Sequence, residues 1–256
     1  MDTFVNDSLA SLEPLNPTNG NGGYTEGILA ALPRAELSLL SPKLEFVRLT
    51  ARQILYEADG DIRHAYFIES GLLSLANVQV SGKNVEVGVI GGGGFAGVPV
   101  IDGLTASPYR IQSQAEGAAH RIDVSNLQEL LPRCPELNLE LHRYGQRLMV
   151  QSMQLAACNA LHEVEQRLAR WLMMGHELLG STELPVTQEI LGHLLGTRRS
   201  SVTVAAGMLQ KAGIVSCTRG RIVILDVEKL ESASCECYRL MKQRMGSWSV
   251  ATQAAA

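Results

Sequence analysis

The sequence predicts an α+β protein: an N-terminal jelly-roll-like β-roll, a long connecting helix and a C-terminal winged helix-turn-helix. Three observations predict it. Short apolar β runs broken by Gly and Asp fill residues 44–123, the texture of an all-β sandwich or jelly roll. A helical apolar period begins near Pro135 and runs past Leu155. Two short helix patterns joined at Gly196, then two β runs, fill Val186–Arg221 and beyond. The expected division is 1–23 as a disordered tail, 24–133 as the β-roll, 134–159 as the connecting helix, 160–231 as the winged helix-turn-helix, and 232–256 as a partly helical tail.

At 256 residues the chain can bury a sizeable core in one or two domains. No run of about 18 apolar residues occurs, so no membrane span is expected. The start carries Asp2 and Asp7 and lacks a basic-then-apolar leader, so the expected compartment is the cytoplasm. The net charge of −4 does not suggest a nucleic-acid binder. Its distribution does: residues 1–132 carry −7 and residues 133–256 carry +3.

In chain order, residues 24–43 hold enough leucine and isoleucine for short helices. Strands are expected at Glu45–Leu49, Gln53–Glu57, Ala65–Glu69, Leu72–Val78, Val85–Ile90, Arg110–Ala115 and Ala119–Asp123. A helix is expected over 124–133, then the long one. In it Leu141, Tyr144, Leu148, Gln151, Leu155 and Cys158 alternate steps of three and four, a heptad seam that predicts a homodimer interface. A buried face within one chain would show the same spacing. Asn159-Ala160 is the expected hinge, and a helix over Leu161–Leu179 follows, closed by Gly180-Ser181. The tail is expected to be helical from Leu230 to Met245.

The helix-turn-helix carries the chemistry. Thr187 can cap the first helix and Thr197 the second, each hydroxyl accepting an orphan backbone N–H. Gly196 stops the first helix, because glycine takes positive φ freely. Val202, Ala205, Ala206 and Leu209 recur at the spacing of a buried face. Arg198, Arg199, Ser200, Ser201 and Thr203 fall at the polar start of the second helix, the part that enters a major groove. The runs Ile214–Thr218 and Arg221–Leu225 make a wing, with Arg219 and Arg221 placed for phosphates. Double-stranded DNA is the expected partner.

This organisation resembles the Crp/Fnr family of bacterial transcription regulators. The resemblance is carried by HEVEQRLARWLMM, TQEILGHLLGTRRSSVTVAAGMLQKAGIV, RGRIVILDVEKL and, more weakly, YFIESGLLSL. It implies a cyclic-nucleotide-binding-like sensor domain, a dimerisation helix, a small-molecule effector and contact with RNA polymerase. On the family's pattern Arg199, Ser201 and Val202 match the reading positions, whereas Ser200 replaces an acidic residue and Val204 a second Arg. The effector pocket would involve Gly97, Val98, Tyr109 and Arg110. Val98 stands in place of the carboxylate that takes the ribose, and Arg110 lies one residue late, facing the other side of a strand. The expectation is a regulator that does not respond to cyclic AMP.

Other features select less. The Gly88–Gly97 stretch lacks the βαβ setting of a dinucleotide loop and reads as a turn in the β-roll, with an enzyme nucleotide site as the alternative. Residues 1–133 contain no cysteine, which removes an N-terminal iron–sulfur group. Cys235-Glu-Cys237 lacks a neighbouring pair, and Cys134, Cys158 and Cys217 lie far apart in sequence, so no metal site and no cofactor are expected. A redox or small-ligand sensor with secondary DNA binding is the alternative function. The six histidines are scattered and no catalytic constellation is present.

Overall fold

The computed structural model describes Tyr24 and residues 27–244. The expected N-terminal tail and the end of the C-terminal tail lie outside these residues.

Helices α1 (Gly27–Ala31) and α2 (Arg34–Leu40) lead into the strands. The β-roll follows as β1 (Glu45–Leu49), β2 (Ile54–Tyr56), β3 (His64–Ser70), β4 (Leu73–Val78), β5 (Asn84–Ile90), β6 (Phe95–Ala96), a turn of helix α3 (Val98–Ile101), β7 (Arg110–Ser113) and β8 (Gly117–Asp123). They form two antiparallel sheets, β1-β8-β3-β6 and β2-β7-β4-β5. The inward residues of both sheets, among them Leu73, Ile90, Phe95, Ile111 and Ile122, are fully buried. Seven strands lie where alternation and turn residues place them. β6 and α3 are too short to carry a period; they are held by pairing of Phe95 with Phe67 and by Pro99 at the helix start.

Helix α4 (Val124–Leu130) connects to the long helix α5 (Pro135–Leu161), 27 residues. Its start is capped from outside: the Glu36 carboxylate of α2 accepts from the N–H groups of Glu136 and Leu137 at 3.0 and 2.9 Å. That carboxylate sits at the positive end of the helix dipole.

The predicted dimer seam is occupied within the chain. Leu141 and Leu148 belong to the β-roll core, with Tyr144 packed against it, and Leu155 joins the C-terminal core. The Gln151 side-chain oxygen accepts from the Val89 N–H at 2.7 Å. The period was right for a helix but could not say which neighbour the seam meets. The opposite face of α5 carries Leu139, Met149 and Met153, exposed, in the same heptad phase as Ala156 and Ala160.

The hinge also moves. α5 continues through Asn159 and Ala160, and the break falls at His162-Glu163, where both residues are extended. Helix α6 (Val164–Leu179) then starts with a capping box between Glu163 and Gln166. Arg167 spans the break: it donates to Asn159 O at 2.9 Å and to Leu195 O at 2.5 Å.

Beyond α6 lie β9 (Glu183–Leu184), α7 (Gln188–Leu194), α8 (Arg199–Lys211), β10 (Val215–Thr218), β11 (Arg221–Ile224) and α9 (Val227–Ala233). The three strands form one sheet, β10-β11-β9. The tail is not one helix: it breaks at Ser234–Glu236 and resumes over residues 237–244. Tyr238 closes this second run onto α6 through Glu177 at 2.6 Å.

Candidate nucleic-acid interface and ligand sites

α7 and α8 pack at right spacing because their facing residues are small. A Cβ on Gly192 of α7 would lie 3.2 Å from the Thr197 carbonyl oxygen, and Val202, Ala205, Ala206 and Leu209 of α8 are buried. Gly196 turns the chain at φ +59°, where a side chain would be strained and would meet Val85 of β5. Thr187 caps α7 as expected, accepting from the Ile190 N–H at 3.2 Å. Thr197 does not cap α8. Arg198 holds that position without a side-chain bond, because the turn is one residue longer than the cap spacing assumed.

The polar start of α8 faces outward. Arg198, Arg199, Ser200 and Thr203 are exposed and Ser201 is half-buried. The Thr203 hydroxyl turns back to Gln188 at 2.7 Å and to the Arg199 carbonyl at 3.0 Å. Val204 and Met208 add exposed apolar surface further along the helix. In the wing Arg219 is exposed at the β10–β11 turn, whereas Arg221 pairs with Glu183 of β9.

Arg199 and the wing arginines line a cleft of about 840 Å³. One wall holds Arg199, Arg219, Arg221 and Thr187; the other holds Arg52, Gln112 and Gln114 of the β-roll. Contact between the two halves is tight elsewhere. Trp171 of α6 donates to Glu86 of β5 at 3.2 Å, and Ser74 donates to the same carboxylate at 2.5 Å. Burial pushes the Glu86 carboxyl up to about 7, against the pull of those bonds and of Arg170.

The four residues expected to line an effector pocket are largely spent on packing. Gly97 takes φ +136° against Ala65. Val98 and Tyr109 pack on the β-roll core, and burial pushes the Tyr109 hydroxyl up to about 12. Arg110 pairs with Glu57 at 2.8 Å. A different cavity, about 660 Å³, opens between the β-roll, α5, α6 and the 237–244 run. Gly91–Gly94 form one wall, Arg147 and Lys242 bring positive charge, and Glu140 and Glu177 negative. Sequence reasoning singled out this glycine stretch but not its neighbours, which come from segments up to 150 residues away.

The cysteines gather as their sequence spacing does not suggest. Cys158, His162, Cys235 and Cys237 meet at the α5–α6 break, with their ligand-type atoms all within 4.8 Å of one another.

Residues 166–233 match the Crp-like helix-turn-helix domain. The transcriptional regulator SdrP of Thermus thermophilus is 26% identical over 186 residues, spanning 70% of this chain and 88% of that protein. A solved structure assigned to Crp/Fnr-family regulators, from Eubacterium rectale, shares the fold with a TM-score of 0.65 at 19% identity, over 79% of this chain and 94% of that one. The c-di-GMP responsive global regulator CLP of Xanthomonas campestris does so with a TM-score of 0.63 at 16% identity, over 75% and 99%. The chain thus carries a helix-turn-helix of Crp type at the end of a two-sheet β-roll and a long helix, and it shares its fold with solved structures of Crp/Fnr-family regulators.

Proposed function

We propose that two copies of this chain form a homodimer in the cytoplasm that reads a two-half DNA site, one α8 in each major groove. The observation that carries this is the exposed start of α8, with Arg198, Arg199 and Ser200 presented together on a helix whose other face is buried. Arg199 is the base reader, since its fork can bond guanine O6 and N7. Arg198 and Arg219 take phosphates. Thr187 keeps its O–H proton free for a phosphate while its oxygen caps α7. Ser201 and Thr203 sit on the same turns and support the reading face. Val204, exposed where the family pattern has a second Arg, suits a thymine methyl and so a different half-site.

The dimer forms through the exposed face of α5 with Met149 and Met153 at its centre. The buried Leu141, Leu148, Gln151 and Leu155 support that helix from behind.

The effector is a small molecule other than cyclic AMP. Val98 offers no acceptor, and Arg110 is held by Glu57. The 660 Å³ cavity beside Gly91–Gly94 is the better place for it, because it touches the β-roll, α5 and α6 at once. A ligand there favours one relative placement of these elements and so shifts the pair of readers. Promoter-bound, the dimer acts on transcription through RNA polymerase, not as an enzyme.

Two substitutions separate the roles. Arg199→Ala should cost about 1–3 kcal/mol of DNA affinity and relax one base position. Arg219→Ala should weaken all sequences alike and lower the salt slope by about 1. Anisotropy titrations over a salt series read both; equal effects on matched and scrambled DNA from Arg199→Ala would refute base reading.

A further inference from the structure

The α5–α6 break holds a group of side chains that DNA reading does not use. Cys158 lies in the last turn of α5, and His162 caps its end. Cys235 and Cys237 come from the break in the tail. In a continuous helix residues two apart point about 200° from each other. The interruption at Ser234–Glu236 removes that constraint, and a turn closed by Tyr238 N–H to Cys235 O at 3.2 Å brings both sulfurs to one side.

The distances are those of a single four-coordinate ion. With metal–sulfur bonds of about 2.3 Å and metal–nitrogen bonds of about 2.0–2.1 Å, tetrahedral ligand atoms stand roughly 3.6–3.8 Å apart. The Cys158 and Cys235 sulfurs are 3.5 Å apart, and Cys237 Sγ is 3.5 Å from His162 Nδ1. A four-iron cluster, with one ligand on each iron, would hold them further apart.

The surroundings suit an anionic complex. All three cysteines are buried, at 0%, 3% and 1% exposure. Three thiolates, one neutral imidazole and a divalent ion sum to one negative charge, which is costly to bury alone. Arg170, 2% exposed, lies close enough for its charge to act on Cys158, and its Nε has no hydrogen-bond partner. Gln154 donates to Cys237 Sγ at 3.1 Å, the kind of outer bond that orients a ligand.

We propose that Cys158, His162, Cys235 and Cys237 bind one zinc-type divalent ion, a closed structural site that staples the C-terminal tail to the hinge between the long helix and the DNA-binding part. Thiolate-rich sets of this kind select soft or borderline metals, and four protein ligands leave no open position for catalysis. The ion fixes the angle at which α6 leaves α5. Its effect on DNA affinity rests on the regulator reading above; its presence does not.

The test uses the full-length chain purified anaerobically with reductant. Elemental analysis should give one zinc per chain, and cobalt(II) exchange should give the intense visible bands of a tetrahedral thiolate site. Cys237→Ser should abolish both. His162→Cys should keep one metal with shifted cobalt bands, which separates ligand loss from misfolding. Cys134→Ser and Cys217→Ser should change nothing. Reduced, folded protein that holds no metal and takes up no cobalt would overturn the proposal. So would iron with acid-labile sulfide, or a Cys158–Cys235 disulfide in the reduced preparation. Loss of DNA binding with the metal retained would count against the regulator reading and leave the site standing.

Discussion

Glu86 shows how a single buried carboxyl can link the two halves of the chain. It accepts from Ser74 on its own sheet and from Trp171 on α6, while its second oxygen has no hydrogen-bond partner. Its pKa rises from 4.5 to about 7, with burial as the main cause. A group raised in the folded state adds stability that is complete below its unfolded pKa and is lost as pH rises through the folded value. Stability should therefore fall between about pH 4.5 and pH 7, by on the order of 3 kcal/mol from this group. Glu86→Gln should flatten that part of the profile, read by urea unfolding at pH 5, 6, 7 and 8. An unchanged slope would mean that Glu86 does not titrate there. The residues proposed to read DNA behave differently: the exposed placement of Arg198 and Arg199 was legible from sequence because it depends on a local helix start. Arg221 was legible only in position. Its partner Glu183 lies on β9, a two-residue strand that no period reveals.

At the scale of elements, helix identity was far more legible than helix environment. The three-four spacing placed α5 correctly, yet the same spacing fits a dimer seam and a buried face. The β-roll and the C-terminal core decide the matter by together occupying the Leu141–Leu155 side. The exposed Leu139, Met149 and Met153 then remain for a partner copy. Met153→Glu should dissociate the proposed homodimer without unfolding the chain, because Met153 is 65% exposed. Sedimentation at micromolar concentration checks this; a dimer of unchanged stability would exclude that face. The cap on α5 is equally long-range, coming from Glu36, about a hundred residues earlier. Glu36→Ala should lower stability by about 1–2 kcal/mol, seen as a lower thermal midpoint. The hinge was misplaced by three residues because Asn159-Ala160 carries no strong stop signal. Helix α5 ends instead where Glu163 starts the next capping box. The cysteine group was invisible for a related reason: a gap of 77 residues separates Cys158 from Cys235, and only the docked tail closes it.

In the whole molecule, Arg199 and the wing face the β-roll across one cleft. A major groove is about 12 Å wide and 8.5 Å deep, with phosphate backbones on both sides of the inserted helix. Gln112 and Arg52 form the far wall of the cleft that Arg199, Arg219 and Arg221 line. A duplex seated on Arg199 and Arg219 is therefore expected to swing the wing away from Gln112. Spin labels at Gln112 and Thr218 should move apart when cognate DNA is added; a fixed short distance would contradict the swing. Specific reading of a two-half site by paired α8 helices is the proposed output of the whole molecule. Selection from random duplex DNA with the full-length protein tests it most directly. The expected outcome is an enriched inverted repeat whose half-sites lie about 10–10.5 base pairs apart or a multiple of that, lost with Arg199→Ala. Recovery of unenriched random sequence, bound equally well by wild type and Arg199→Ala, would contradict it.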